Sequence, residues 1–438
     1  MPRYVTGAMA LTGCGLIVGT AQLAGARFQM AATASLLLAL ALVGMTKPSQ
    51  YAFLASMSYM LAHMEFAKEI PGATVLSRSA ALLILVVAYI RFRGREQPAQ
   101  PRELTVVLSM GLSAYGLTFL IHGWNPDAFL AAGTLALSGI ALSLLLVAVP
   151  GAGISRGIEA ALAATLIVSI MWGVVLPGEG LEARRLEGIF SNANTLGFFA
   201  GLALVLAIVR AGRARSRYAL LLIAAVAIVG SASRSALLAV LVAMVVAALK
   251  VLFSSERKTI LAVTMVVALT GGIAAITLNL SGWLIFRRNA SRGSGTDYAL
   301  GIADSRPWEG VGYGATQLEV ASTPLRWLAE VGILGFAAVV VAYLAVLILA
   351  WRRSWRTVTV AVFGVVSSLF EGWYFAGGSA LFFTFWIAYI SVVETSRSPL
   401  RDGAADSAAH SGFQPTDRAR GRLRGPLPAR GEPRTRMG

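Results

Sequence analysis

Seven arginines in three segments are the residues of this chain whose type and spacing could do chemistry. Two adjacent ones, Arg184 and Arg185, lie in E-A-R-R-L-E-G-I-F-S-N-A-N-T-L-G-F-F (Glu182–Phe199). A third, Arg234, lies in S-A-S-R-S-A-L-L (Ser231–Leu238). The remaining four, Arg287, Arg288, Arg292 and Arg306, fall between Ser281 and Thr323. A guanidinium stays charged at any physiological pH and grips phosphate in a fork geometry, so arginines that converge would hold a phosphate-bearing ligand. The neighbours suit such a pocket. Gly188 and the small run Ser191-Asn192-Ala193-Asn194 let backbone approach a ligand and supply N-cap chemistry to the helix that follows, whose start favours an anion. A second reading stays open: an arginine at a helix end can lay its stem on apolar surface and hold its head among lipid phosphates. Arg234 strains that reading. It has small residues and serines on one side and a lipid-like run on the other, so its charge needs a partner. The carboxylates in the same class of connections are Glu179, Glu182, Glu187, Asp297, Asp304, Glu309, Glu319 and Glu371.

The elements that must position these arginines are set by composition. Only 13% of the 438 residues are charged and the mean hydropathy is +0.71, whereas a soluble domain carries about a quarter charged residues. Apolar runs long enough to cross a bilayer recur from end to end, roughly at 4–24, 29–46, 49–66, 73–91, 103–121, 127–149, 157–175, 193–210, 218–232, 235–253, 259–279, 324–350, 357–370 and 377–393. Backbone polarity in lipid makes these runs helices, since a barrel would show alternation in segments of about ten residues. The expected fold is therefore all-α: a polytopic transmembrane helix bundle of about 12–14 spans, with 49–66 and 357–370 the weakest and one long outward-facing loop at 281–323. The single cysteine, Cys14, excludes an intramolecular disulfide, and His63, His122 and His410 form no metal-ligand spacing. No cofactor is expected.

Basic residues fall in alternate connections: Lys47; Arg91, Arg93, Arg95 and Arg102; Arg156; Arg210, Arg213, Arg215 and Arg217; Arg257 and Lys258; Arg352, Arg353 and Arg356; and nine arginines from Arg397 to Arg436. The positive-inside rule makes that side, with both termini, cytoplasmic and places the seven arginines outside. The net charge of +16 is thus a membrane-topology signal rather than a nucleic-acid footprint. Residues 1–395 read as the transmembrane domain. The stretch 396–438, rich in Arg, Pro, Gly and Ala, reads as a disordered basic cytoplasmic tail held near anionic lipid.

These motifs, taken in order, resemble the O-antigen ligase and O-antigen polymerase superfamily. The resemblance rests on R-x-x-G-x-F-x-N-x-N before a span, S-R-S-A-L-L heading a later span, and S-R-G-S-G-T-D-Y-A-L-G-I-A-D-S-R-P-W-E-G-V-G-Y-G (Ser291–Gly314). L-A-E-V-G-I-L-G (Leu328–Gly335) and F-E-G-W-Y-F-A-G-G-S-A-L-F-F-T-F-W (Phe370–Trp386) complete it, so that it covers roughly Arg185 to Tyr389. It implies a metal-independent glycosyltransferase of the cytoplasmic membrane. Such an enzyme moves a saccharide from a polyprenyl-diphosphate carrier to an acceptor glycan or lipid at the outer face. Arg185 and Arg234 match the arginines that hold the diphosphate, and Arg292 matches the loop arginine. Fixed guanidiniums would stabilise the charge of the departing diphosphate without a metal.

The chain departs from the family at one place. Where the family has His-Asn before L-A-E-x-G, this sequence has Ala321 and Ser322. That histidine is the family's base for the acceptor hydroxyl. Glu319 is the nearest carboxylate and the candidate base here; a loop salt bridge to Arg287, Arg288 or Arg292 is its other reading. Glu330, a turn or two into a span, is expected to pair with Arg326 four residues earlier, or with Arg234. Trp308, Tyr313, Trp327, Trp373 and Tyr374 read as an interfacial aromatic belt, or more sharply as sugar-stacking residues. Two further classes of function stay open: a lipid-linked glycan flippase or transporter, against which the nearly uncharged mid-span regions argue, and a catalytically inactive relative that binds lipid-linked glycan.

Overall fold

The structure, a computed structural model, describes residues 45–61, 64, 73–92, 100–182, 185–190, 192–210, 215–254, 290–318 and 320–411. The runs expected at 4–24, 29–46 and 259–279 lie outside them. The described chain is helical: α1 (Pro48–Leu61), α2 (Ala73–Phe92), α3 (Arg102–His122), α4 (Pro126–Ala148), α5 (Gly151–Val175), the one-turn α6 (Pro177–Gly180), α7 (Ala193–Val209), α8 (Arg215–Ser231), α9 (Arg234–Ser254), α10 (Ala290–Ser305), α11 (Thr323–Arg353), α12 (Trp355–Ser368) and α13 (Ala380–Ser411). Among the described residues the only strands are a two-residue antiparallel pair, β1 (Leu181–Glu182) and β2 (Arg185–Leu186). Among the described residues five helices are long and apolar enough to cross a membrane: Arg102–His122, Pro126–Ala148, Gly151–Val175, Arg234–Val251 and Thr323–Arg353. Shorter apolar helices, Ala193–Val209, Ser216–Ser231, Trp355–Ser368 and Ala380–Ser396, pack among them. The two weak runs of the sequence become α1 and α12, each of 14 residues, less than the roughly 20 a straight crossing requires. The long segment before α11 is not a plain loop, because residues 290–305 form α10, which packs on α11. α13 continues to Ser411, past the point where the sequence places the start of the tail.

Local chemistry sets the helix boundaries. Asn125 caps α4, accepting from Asp127 N at 2.9 Å and Ala128 N at 3.1 Å, with Pro126 in the first turn. Ser354 ends α11 and caps α12, accepting from Thr357 N at 3.1 Å. Helices approach closely where one presents glycine. A Cβ on Gly157 of α5 would lie 2.6 Å from Ala52 Cβ on α1, and one on Gly201 of α7 would lie 2.8 Å from the Phe363 ring on α12. One end of the bundle carries most of the helix-end arginines, and there ion pairs pin helices together. Arg353 forks onto Glu103, with Nε to Oε1 at 2.5 Å and Nη2 to Oε2 at 2.9 Å, and Arg210 pairs with Glu159.

At the opposite end, α11 is broken. Gly332 takes φ 72°, ψ −161° inside the helix. The segment Pro307–Gly312 fills the break: Val311 N donates to Ala329 O at 2.9 Å, Gly312 N to Glu330 O at 2.8 Å, and Ile333 N to Pro307 O at 2.8 Å. The carbonyls and the amide that the break releases are thereby satisfied, which a membrane interior demands. Only glycines permit this approach. A Cβ on Gly332 would come 2.3 Å from Trp308 O and one on Gly310 2.5 Å from Ala329 O. The P-W-E-G-V-G run is therefore a backbone plug. The turn between α3 and α4 holds it from the other side, through His122 Nε2 to Glu309 O at 2.7 Å and Asn125 Nδ2 to Tyr313 O at 2.9 Å.

Candidate functional site

Arg185 sits on β2, opposite Glu182 on β1. The hairpin is clamped to the end of α6. Glu187 N and Gly188 N both donate to Gly180 O, at 2.9 and 3.1 Å. Gly188 has φ 66°, and a Cβ there would stand 2.2 Å from Ser169 Cβ on α5, so this position requires glycine for both conformation and space. Phe190 bridges to Met64 on the far side. Arg185 is consequently buried, 9% exposed. Its Nε donates to Ser231 O at 3.0 Å and its Nη2 to Asn194 Oδ1 at 2.9 Å.

Those two acceptors belong to two helix junctions. Asn194 is in the first turn of α7, whose N-cap is Asn192; the Asn192 side chain accepts from Asn194 N at 2.8 Å. Ser231 closes α8, and three residues later Arg234 opens α9, with its side chain exposed. The turn between them is tight. Ala232 has φ 48°, the one positive φ at a non-glycine residue among the described residues, a conformation that costs an L-residue about 1–2 kcal/mol. Ser233 Oγ lies 3.2 Å from Ser235 Oγ. α7 presses directly on this turn, because Gly197 leaves no side chain: a Cβ there would lie 2.3 Å from Ser233 Cβ and 3.0 Å from Ser231 Oγ. The starts of α7 and α9 and the buried guanidinium of Arg185 thus meet at the turn that also bears Arg234. Helix starts carry partial positive charge and unsatisfied N–H groups, so this junction favours an anion.

Of the other sequence candidates, Arg292 lies on α10, its side chain outside the described residues. Glu319 and Arg184 lie outside the described residues as well. Glu330 pairs with Arg326, Nε to Oε1 at 3.0 Å, as the spacing of four predicts, and the Arg326 guanidinium lies 5.4 Å from the centre of the Tyr313 ring. Glu330 is fully buried and its break-side carbonyl is occupied by the plug, so it is a structural acid. The aromatic residues correct the sequence reading. Trp308 is exposed, but Trp327, Trp373 and Tyr374 are buried. They form a continuous ring path, Tyr115–Trp327–Phe375–Tyr374–Trp373–Phe198, with centroids 5.0, 5.5, 6.0, 5.4 and 5.2 Å apart. The connection after α12, with Trp373 and Tyr374, folds into the bundle rather than lying at its rim, and Trp327 on α11 is buried as well, so three of the five belt residues are core. Arg78 on α2 was missed: inside an apolar run it carries no motif, yet its guanidinium lies against Gly378 in that same connection.

Among the described residues no group of three or more His, Cys, Asp or Glu side chains could hold a metal ion. Compared with known proteins, the chain matches no protein-family model and no curated protein.

Proposed function

We propose that this chain is an integral membrane glycan ligase or polymerase, and that the junction of Arg185 and Arg234 holds the diphosphate of a polyprenyl-linked saccharide donor. The observation that carries the reading is the position of Arg185, a buried guanidinium that donates to Ser231 O, at the turn that bears Arg234, and to Asn194 Oδ1 in the first turn of α7. In the proposed reaction an acceptor hydroxyl attacks the anomeric carbon, the bond from that carbon to the diphosphate oxygen breaks, and the hydroxyl proton passes to a base. Negative charge grows on the leaving diphosphate, and preorganised cations beside two helix starts stabilise it where it develops. Glu319 is the proposed base and Arg292 the proposed third cation. The basic end of the bundle is placed in the cytoplasm, so the junction faces outward on the cytoplasmic membrane. Membrane lipids and the lipid-linked donor are the partners, with a glycan or lipid as acceptor; no nucleic acid is invoked.

The test is deletion of the gene with analysis of surface polysaccharide and lipid-linked intermediates, followed by complementation. Loss of polymer, accumulation of lipid-linked saccharide accessible at the outer face, and failure of Arg185→Ala and Arg234→Ala to restore the polymer are expected. Accumulation confined to the inner face would identify a flippase instead. Ala321, in place of the family's histidine, favours a second reading, an inactive relative that binds lipid-linked glycan; unchanged polysaccharide in the deletion strain would select it.

A further inference from the structure

Three arginines of the bundle pair with acids: Arg210 with Glu159, Arg326 with Glu330, Arg353 with Glu103. Arg78 has no such pair among the described residues. It lies on α2, five residues in from Ala73, and its Nε is buried without a hydrogen-bond partner. Among the described residues no carboxylate pairs with it. Its guanidinium is seated on the backbone of Gly378: a Cβ there would come 2.5 Å from Cζ, 2.6 Å from Nη2 and 2.7 Å from Nη1, so any side chain at 378 would expel the head group. The groups around it are neutral. Tyr59 OH lies 3.0 Å from Ser138 Oγ, and Ser138 Oγ donates to Gly377 O. A cation held inside an apolar bundle needs a counter-charge, and among the described residues the seat holds none.

We infer that Arg78, seated on Gly378, binds a phosphate group. At a membrane interface that phosphate comes from a lipid headgroup or from solution, and a guanidinium held flat by glycine presents its terminal nitrogens to either. The inference does not depend on glycan transfer.

The experiment uses the full chain in a neutral, phosphate-free maltoside detergent, with the thermal unfolding midpoint followed against inorganic phosphate and, separately, dodecyl phosphate. Wild type is expected to rise with at least one probe. Arg78→Gln should need at least tenfold more of it, Arg78→Lys should fall between them, and Arg234→Ala should retain the Arg78-dependent part of the response. A response to dodecyl phosphate alone identifies a lipid headgroup, and equal potency of the two probes identifies a soluble phosphate. Without either probe, Arg78→Gln should be at least as stable as wild type, because it removes an unmatched charge. Identical responses in wild type and Arg78→Gln would overturn the inference. So would loss of stability in Arg78→Gln that Glu65→Gln or Glu69→Gln reproduces, since these acids precede α2 in the sequence and would then be the counter-ion. Full restoration of polysaccharide by Arg185→Ala and Arg234→Ala, with the Arg78 response intact, would refute the transfer reading alone.

Discussion

Asn194 Oδ1 accepts a hydrogen bond of 2.9 Å from Nη2 of Arg185, and this bond ties the first turn of α7 to the buried guanidinium. Asn194→Ala removes the acceptor but leaves α7 capped, because the Asn192 side chain bonds to the backbone of residue 194. Misplacing a charged group by about 1 Å can lower a rate roughly 100-fold, so under the proposed glycan transfer polymer formation should fall on that scale with little change in unfolding midpoint. Asn194→Asp keeps the acceptor and offsets the cation, and should be at least as impaired. Full activity in the Asp variant would show that the charge of Arg185 is not used.

Gly197 and Ser233 set the distance between α7 and the turn that carries Arg234. A Cβ on Gly197 at 2.3 Å from Ser233 Cβ cannot be accommodated without moving one of them. Gly197→Ala should cost about 1–3 kcal/mol, the usual range for overpacking. Ser233→Gly removes the obstructing atom, and glycine is tolerated at an N-cap. The double variant should therefore recover at least half of the loss, read by thermal or chemical unfolding in detergent. Additive losses would mean that the helices do not meet as described.

What was legible in the sequence divides along physical lines. Apolar runs announce helices because lipid leaves no other way to satisfy their backbones, and α3, α4, α5 and α9 fall close to the expected runs. The Arg326–Glu330 pair follows from spacing alone. Arg185 and the Ser231 turn, separated by 46 positions, meet through the crossing of α7 with α8 and α9, which no local pattern encodes; only the motif resemblance put them together. The glycines of Gly310–Gly314 were visible as a motif, but their role as a plug depends on the break at Gly332. The aromatic residues after α12 misled because an interfacial belt and an infolded connection have the same composition. Arg78 was invisible, since one arginine near a helix end is what a snorkelling residue looks like.

Gly332→Ala tests the plug. The position combines φ 72° with ψ −161°, a region open essentially to glycine and costing other residues about 1–3 kcal/mol. The new Cβ would also strike Trp308 O at 2.3 Å. The variant should lose at least about 3 kcal/mol, and limited proteolysis should cut first between residues 306 and 318 as the plug leaves the break. A variant with wild-type midpoint and cleavage pattern would show that α11 is not broken there.

The Glu103–Arg353 fork joins α3 to α11 at the end remote from Arg185. Glu103 is fully buried, so Arg353→Met strands a carboxylate in an apolar setting, beside the Tyr389 hydroxyl. Breaking a buried pair by removing one partner costs about 3–5 kcal/mol, whereas replacing both with well-packed apolar residues is often near neutral. Arg353→Met should therefore lower the unfolding midpoint strongly, and Glu103→Leu with Arg353→Met should restore most of it. Since the fork contributes nothing to the electropositive junction, polymer formed per folded molecule should match wild type in the double variant. A stable double variant with lost activity would instead mean that the charge itself, and not the packing, couples this end of the bundle to the other.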